Sequence, residues 1–293
     1  MAEIFNSDGH HPADAGEGVS TSIIVPVFNE AEAIVPLRDR LLPVARLLTN
    51  RGGVEVIFVD DGSTDGTGVL VDDAFRNAMD VDVRLVKHPE NRGVSAAIAT
   101  GFSNATGDIV CVIDSDCSYD PEDLPKLIDL LISQEADIVT TSPYHPEGCV
   151  VGCPAWRIAL SRMASLAYGV VSPTRLYCYT SMFRVFRRAW ARTDLCTSPG
   201  FVGVAEQLIQ SAIAGARIAE FPTTLRSRIH GQSKMRTVSV ATHHLRLMVR
   251  LLFERTSTSD NAELESQNKI QADFDAGLRT VGAPDEPADL QSK

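Results

Sequence analysis

Two kinds of apolar pattern alternate along the chain from residue 21 to residue 141. Short, continuous apolar runs indicate strands buried on both faces, and each is followed by apolar residues spaced three and four apart, which indicates one face of a helix. The predicted strands are residues 22–28, 54–59, 83–86, 109–113 and 137–141, and the predicted helices are 34–48, 70–78, 94–103 and 121–131. This alternation predicts an α/β fold with a parallel sheet that is covered by helices on both faces.

The pattern weakens after residue 145. Helices are predicted over 154–170, 204–214 and 238–253, and strands over 182–186 and 218–225. We therefore expect one domain over residues 21–235, followed by a basic amphipathic helix over 236–254. Residues 1–20 and 255–293 are polar and aperiodic, and we predict that both are disordered.

Two kinds of membrane-related segment are not predicted. No apolar run approaches the roughly 20 residues that span a bilayer. The first 20 residues contain acids, no Lys or Arg, and no apolar stretch of the kind found in signal peptides. We accordingly expect a cytoplasmic protein without a signal peptide or a transmembrane helix.

The charge is unevenly distributed. The net charge is −11, but seven arginines and no acid lie between Glu147 and Asp194. Arginine forks bind phosphate oxygens, so this stretch favours a phosphorylated ligand. Nucleic acid is not the expected partner, because an acidic protein repels a polyanion at long range.

An Asp-x-Asp pair, Asp114 and Asp116, directly follows the apolar run at 109–113. Two carboxylates at the end of a strand can bind Mg²⁺ or Mn²⁺ together with the phosphates of a substrate. Taken alone, such a pair is more often a solvated turn. The predicted parallel sheet strengthens the metal interpretation, because ligands bind at the carboxyl ends of its strands.

Two further segments follow predicted strands. Asp60 and Asp61 stand in the run Val59–Thr67, where a carboxylate can bind a nucleobase or ribose, although an ordinary strand-to-helix loop explains the rest of the run. The segment 91–101 opens a helix at Gly93 with small residues that allow close approach to a phosphate or sugar, or simply close helix packing. The glycine patterns typical of NAD-binding and P-loop proteins are absent from the sequence.

Together these segments resemble glycosyltransferase family 2, whose fold is GT-A. Within that family the chain is most similar to the polyprenyl-phosphate sugar synthases, such as the dolichyl-phosphate mannose synthases. The resemblance covers roughly residues 21–250. It rests on the segments 24–30, 59–67, 91–101, 114–116, 156–162, 180–184 and 228–234.

The resemblance implies an inverting transfer from GDP-mannose or a UDP-sugar, with Mg²⁺ or Mn²⁺ as cofactor, to a polyprenyl phosphate. Asp114 and Asp116 would bind the metal, with Asp116 and Arg184 catalytic. Residues expected to bind the nucleotide sugar are Pro26, Asn29, Glu30, Asp60, Asp61, Gly93, Asp114 and Ser115. Residues expected to bind the acceptor phosphate are Arg157, Ser161, Arg228, Ser233 and Lys234.

The chain departs from the family pattern at several positions. Pro143 replaces an arginine, Cys178 an acid and Met182 a glycine, and Ser118 stands where the metal's third ligand is common. Alternative functions are therefore transfer to a hydroxyl acceptor, with Glu206 as the catalytic base, and non-catalytic binding of a nucleotide sugar. A sugar-phosphate nucleotidyltransferase is disfavoured, because the first strand lacks its glycine-rich loop.

The helix predicted over 236–254 also allows two interpretations. It has one apolar and one basic stripe, and no acid occurs from Leu225 to Phe253. Such a helix could lie on an anionic membrane surface, which would make the protein peripheral to the inner membrane face. It could equally pack against the domain or form a dimer.

Overall fold

The computed structural model describes residues 18–78, 80–195, 197–227 and 246–251. Two compact units divide after Leu247, and only 248–251 of the second unit are described. Residues 246–251 are helical, whereas the rest of the helix predicted over 238–253 lies outside the described residues. The same is true of the tail 255–293 and of the predicted acceptor residues Arg228, Ser233 and Lys234.

Strands and helices alternate from residue 21 to residue 142, as predicted. The strands are β1 (Thr21–Val27), β2 (Val54–Asp60), β3 (Asp82–Lys87), β4 (Ile109–Val112), β5 (Ile138–Ser142), β6 (Cys149–Val151), β7 (Arg184–Arg187), β8 (Ile218–Pro222) and β9 (Thr224–Arg226). The helices are α1 (Ala31–Gly52), α2 (Thr67–Phe75), α3 (Val94–Asn104), α4 (Leu124–Ser133), α5 (Ala155–Val171) and α6 (Gly200–Ile213). Short 3₁₀ turns at Pro121–Asp123 and Arg188–Trp190 precede α4 and follow β7.

Seven strands form the main sheet in the order β3-β2-β1-β4-β7-β5-β8. All neighbouring pairs are parallel except those of β7, which is antiparallel to both β4 and β5. The mostly parallel sheet predicted from the sequence is thus confirmed. Chain order reverses between β1 and β4, and such a reversal opens a crevice at the carboxyl ends of the strands.

The helix pattern of α1 accounts for much of the core. Its apolar positions at spacings of three and four, from Ile34 to Leu48, are all buried against the sheet. Together with β1, β2, β4 and α4 they form one apolar cluster. Because this core packs against the sheet, the loops at the carboxyl edge rest on a fixed base.

Two predictions for the second half were wrong in detail. The strand predicted over 218–225 is two strands, β8 in the main sheet and β9, which pairs with β6 in a small parallel sheet. The division falls at Thr223, whose hydroxyl donates to Asp123 Oδ2 at 3.1 Å. Strand β6 itself was not predicted, because three residues are too few to show a periodicity.

Gly101, in the middle of α3, faces β1 so closely that an added Cβ would overlap the side chain of Ile24. We expect Gly101→Ala to lower the free energy of unfolding by about 1–3 kcal/mol, because the core must shift to make room. Urea denaturation measures this change. The matched control is Gly169→Ala in α5, where the nearest atom would be Tyr179 Oη at 3.9 Å. That substitution should be neutral or stabilising by up to about 1 kcal/mol, and equal effects of the two variants would contradict the packing argument.

Candidate active site

The loops after β1 and β2 are held together by side chains of both. Asn29 lies in the left-handed region, with φ of 51°. Its backbone N–H donates to Ser63 Oγ at 2.9 Å, and its side-chain oxygen accepts from the Thr64 backbone N–H at 2.7 Å. Asn29, predicted to bind the nucleotide sugar, is therefore positioned by the loop that follows β2.

The same two loops meet again at the start of α1. The Glu30 backbone N–H donates to Thr67 Oγ1 at 2.9 Å, and the Ala31 backbone N–H donates to Asp65 Oδ2 at 3.2 Å. Burial alone would raise the pKa of Asp65, but hydrogen bonds from Thr67 and Ala31 outweigh it, so the pKa lies below its usual value. A carboxylate that stays ionised here keeps the loops joined.

The two neighbouring aspartates at the end of β2 have different surroundings. Asp60 is buried, and its Oδ1 accepts from the Ser63 backbone N–H at 2.9 Å, which closes the turn after the strand. Asp61 is 3% exposed and accepts from the backbone N–H groups of Arg92 at 2.9 Å and Gly93 at 2.7 Å. The positive end of α3 thus faces the Asp61 carboxylate, and the Gly93 amide is already bonded within the protein.

The Asp-x-Asp pair follows β4 directly, across the crevice from Asn29. Asp114 and Asp116 are both half-buried, and Ser115 between them is buried. Asp116 Oδ1 accepts from the Ser118 backbone N–H at 2.8 Å, a turn in which Cys117 takes a φ of 53°. The two partly accessible carboxylates therefore stand at the switch point of the sheet.

The donor set at this pair fits a hard divalent cation. Carboxylate oxygens are the ligands that Mg²⁺ and Mn²⁺ prefer, and such ions take their remaining ligands from water and substrate phosphates. Within the residues that the structure describes, no group of three or more His, Cys, Asp or Glu side chains could hold a metal. A cation at Asp114 and Asp116 would accordingly take its remaining ligands from water, substrate or other oxygens of the chain.

Five residues with side-chain hydroxyls form two linked groups near α5, and we call this set the hydroxyl row. Ser161 Oγ lies 2.9 Å from Thr180 Oγ1 and also interacts with the Tyr144 phenol. Burial raises the pKa of Tyr119 well above its usual value, and a hydrogen bond with Ser181 opposes this. The members of the hydroxyl row are Tyr119, Tyr144, Ser161, Thr180 and Ser181.

The arginines of α5 are placed differently from the prediction. The Arg157 guanidinium lies over the ring of its exposed neighbour Trp156, 5.2 Å from the centroid. Arg162, which was not predicted as a site residue, lies over the Tyr144 ring at 5.0 Å. No carboxylate in the described ranges forms an ion pair with Arg162. The acid-free stretch with its seven arginines indicated a phosphate-binding cation in this region. The sequence alone did not show that Arg162 would be the arginine beside the hydroxyl row.

Arg184 does not contact the crevice, which corrects the expectation that it touches the substrate. It is 1% exposed, and its guanidinium donates to the backbone oxygens of Val204 at 2.5 Å and Tyr179 at 2.7 Å. The cause is the set of backbone oxygens around the guanidinium. Arg184 is the first residue of β7 and pairs with Val112 at the carboxyl end of β4, so it lies near the site edge of the sheet, but these contacts hold its guanidinium inside the protein.

Glu206, expected as a base for a hydroxyl acceptor, is also 1% exposed. Its carboxylate accepts from the Thr197 backbone N–H at 3.0 Å, from Thr197 Oγ1 at 2.9 Å and from the Ser198 backbone N–H at 2.6 Å. These contacts tie the loop before α6 to the helix. The geometry favours an anchoring role over proton abstraction.

A sequence model described as Glycosyl transferase family 2 matches residues 22–194, more than half of the chain. The chain belongs to this family. An undecaprenyl-phosphate mannosyltransferase of Micrococcus luteus is 31% identical over 218 residues, which cover 72% of this chain and 86% of that protein. A dodecaprenyl-phosphate galacturonate synthase of Rhizobium johnstonii is 27% identical over 227 residues, covering 75% of this chain and 63% of that protein.

A third relative, the dolichol-phosphate mannosyltransferase of Pyrococcus furiosus, is 28% identical over 236 residues, covering 80% of this chain and 64% of that protein. The chain thus spans less than two thirds of the Rhizobium and Pyrococcus family members. Among solved structures, glucosyl-3-phosphoglycerate synthase of Mycobacterium tuberculosis with Mn²⁺, UDP and glucosyl-3-phosphoglycerate superposes with a TM-score of 0.62 at 21% identity, covering 86% of each chain. This likeness confirms the GT-A fold of the family member described here.

Of the remaining predicted site residues, Pro26 is buried within β1 opposite Val59, and Glu30 precedes α1 at the crevice.

Over the described stretches of the chain, no helix has the length and apolarity needed to cross a bilayer.

The anchoring role of Glu206 can be tested by Glu206→Gln. A glutamine side chain would turn an N–H₂ group towards the Thr197 or Ser198 amide, so we expect the free energy of unfolding to fall by about 1–3 kcal/mol. Urea denaturation measures the loss, and sugar transfer below the unfolding transition should be retained. A variant that is fully stable but inactive would instead identify Glu206 as the catalytic base.

Proposed function

We propose that this family 2 member is a metal-dependent, inverting glycosyltransferase. It would move a sugar from a nucleoside diphosphate, either GDP-mannose or a UDP-sugar, to a polyprenyl phosphate. The observation that carries the proposal is the placement of Asp114 and Asp116 at the switch point of the sheet, together with a hydroxyl row whose Tyr144 lies under Arg162 of α5. The names of the three relatives support the acceptor class, since each pairs a polyprenyl phosphate with a sugar.

The donor would lie in the crevice between β1 and β4. Asn29, Glu30, Asp60 and Asp61 belong to the interlocked loops on one side, and we propose that they hold the nucleoside. Asp114 and Asp116 would bind a divalent cation, which stabilises charge on the diphosphate leaving group when bound. The Mn²⁺ in the structurally similar synthase supports this choice of cofactor.

The acceptor would approach from the α5 side. Ser161, Thr180 and Tyr144 could donate hydrogen bonds to a phosphate, and Arg162 would contribute the positive charge that Pro143 does not supply. A phosphate oxygen of the acceptor would form the new bond to the anomeric carbon as the bond from that carbon to the diphosphate breaks. No general base is needed, because the attacking oxygen carries no proton.

The outer face of α5 supports a membrane location for this acceptor. Trp156, Met163, Leu166 and Val170 recur at helical spacings, and each is more than half exposed, with Leu166 at 78%. An apolar stripe with arginines beside it is typical of a helix that lies in a membrane interface. We propose that the protein acts as a peripheral protein at the inner membrane face, with α5 against the lipid. The contact predicted through 236–254 stays a prediction.

The metal assignment is tested by Asp116→Asn. In the wild type, Mn²⁺ should increase nucleotide affinity, and the variant should lose that increase while keeping its fold, because Asp116 is partly exposed at a strand end. Calorimetric titration with UDP and GDP, with and without Mn²⁺, measures the effect. Asp39→Asn, an exposed acid on α1, serves as the control. An Asp116→Asn variant with unchanged metal dependence would show that the assignment is wrong.

The acceptor assignment is tested by transfer of labelled sugar to polyprenyl phosphate. We expect Arg162→Gln to raise the KM for this acceptor by about tenfold or more, because a charge-assisted hydrogen bond to phosphate is lost. Arg157→Gln should have a smaller effect, since its guanidinium lies over the exposed Trp156 and not over a member of the hydroxyl row. Transfer to hydroxyl acceptors alone would contradict the proposal.

Presenting the acceptor in two forms tests the α5 face in the same assay. Leu166→Asp should lower transfer to polyprenyl phosphate in anionic vesicles and leave transfer in detergent micelles unchanged. Equal activity of wild type and variant on vesicles would show that α5 does not contact the membrane.

A further inference from the structure

His88 is a buried titratable residue that the proposed reaction does not use. It follows β3, is 7% exposed, and its backbone N–H donates to the Asp60 carbonyl at 2.8 Å. Its ring lies between two elements, with Nδ1 2.6 Å from Asp61 Oδ1 and Nε2 2.9 Å from Thr100 Oγ1. The imidazole therefore connects the loop after β2 with the middle of α3.

The roles of the ring nitrogens follow from these partners. An ionised carboxylate only accepts hydrogen bonds, so Nδ1 carries the proton that faces Asp61. In the neutral ring Nε2 is then an acceptor, and the Thr100 hydroxyl donates to it. With both ring nitrogens bonded, the ring has one orientation, and that orientation sets the direction of the Asp61 carboxylate.

Asp61 in turn fixes a segment that has few apolar contacts of its own. Glu90, Asn91 and Arg92 are exposed, whereas the Arg92 and Gly93 amides are bound to Asp61. The two loops also touch directly, because a Cβ on Gly62 would lie 2.6 Å from the Glu90 carbonyl carbon. An exposed segment with little apolar burial is held mainly by its hydrogen bonds.

We propose that His88 is a positioning residue for the nucleotide part of the donor. It would act through Asp61, by holding the segment 90–93 against the turn at 60–63, so that both loops keep the shape of the nucleoside side of the crevice. The proposal rests on the proposed function, since it assumes that a nucleotide occupies this end of the sheet. It assigns His88 no contact with the reacting atoms.

The first measurement needs no ligand. Hydrogen exchange at the Arg92 and Gly93 amides should become at least about tenfold faster in His88→Ala, because a hydrogen bond to a charged group is weakened. Asp61→Asn changes the acceptor of both hydrogen bonds directly, so it shows how much faster these amides exchange when the acceptor itself is altered. His145→Ala is the matched control, since His145 is the other histidine within the described ranges and lies in the loop after β5.

The second measurement is the affinity for UDP and GDP in the presence of Mn²⁺, determined by calorimetric titration. His88→Ala should bind the preferred nucleotide about tenfold more weakly, whereas His88→Gln, which can still donate to Asp61, should recover part of the loss. In the transfer assay, His88→Ala should raise the donor KM far more than it lowers kcat, as loss of ground-state binding does. If His88→Ala does not fold, Thr100→Val removes only the Nε2 contact and should cause a smaller change in the same direction.

The outcomes separate this proposal from the proposed function. Normal exchange at 92 and 93 in His88→Ala, or wild-type nucleotide affinity in both His88 variants, would overturn the positioning role while leaving the glycosyltransferase proposal intact. A wild-type protein that binds neither nucleotide would overturn both. Equal losses in His88→Ala and His88→Gln would show that the contact with Asp61 is not the cause.

Discussion

Parallel pairing of β3, β2, β1 and β4 is the constraint on which the rest of the site depends. It brings the ends of four successive strands to one edge, so residues separated by up to 87 positions in sequence, from Asn29 to Asp116, face one crevice. Each loop contributes polar side chains or backbone amides. Since these groups come from different loops, the site exists only while the sheet holds the four strands together.

The two sides of the crevice are built by different physical means. On the side of β2 and β3, carboxylates bind backbone amides of neighbouring loops, and most polar groups are satisfied within the protein. On the other side, the hydroxyl row and Arg162 lie at or near α5, whose outer face exposes apolar side chains. The first arrangement suits a small polar ligand of fixed shape, and the second suits a molecule with a charged head and an apolar chain.

The sequence predicted those features that depend on periodicity. The spacing in α1, the continuous apolar runs of β1, β2 and β4 and the position of Asp114 at a strand end all translate directly into structure. It did not predict features that depend on contacts between distant segments. Arg184 was expected in the site because the segment 180–184 resembles a family motif, and only the structure shows that its guanidinium is bonded to the backbone oxygens of Val204 and Tyr179. Asp61 shows the same limit, because its partners at 92 and 93 lie on another loop.

The direct contact between Gly62 and the backbone at Glu90 has a consequence for protein engineering. The loops after β2 and β3 pack so closely that a side chain at position 62 would overlap the backbone at Glu90. The Asp61 carboxylate of the first loop accepts hydrogen bonds from the amides at 92 and 93 of the second. They therefore form a single exchangeable module. Grafting the segment after β2 from another family member, without the segment after β3, would leave donors and acceptors that no longer match. A change of nucleotide preference by loop exchange consequently requires both segments to be transferred together.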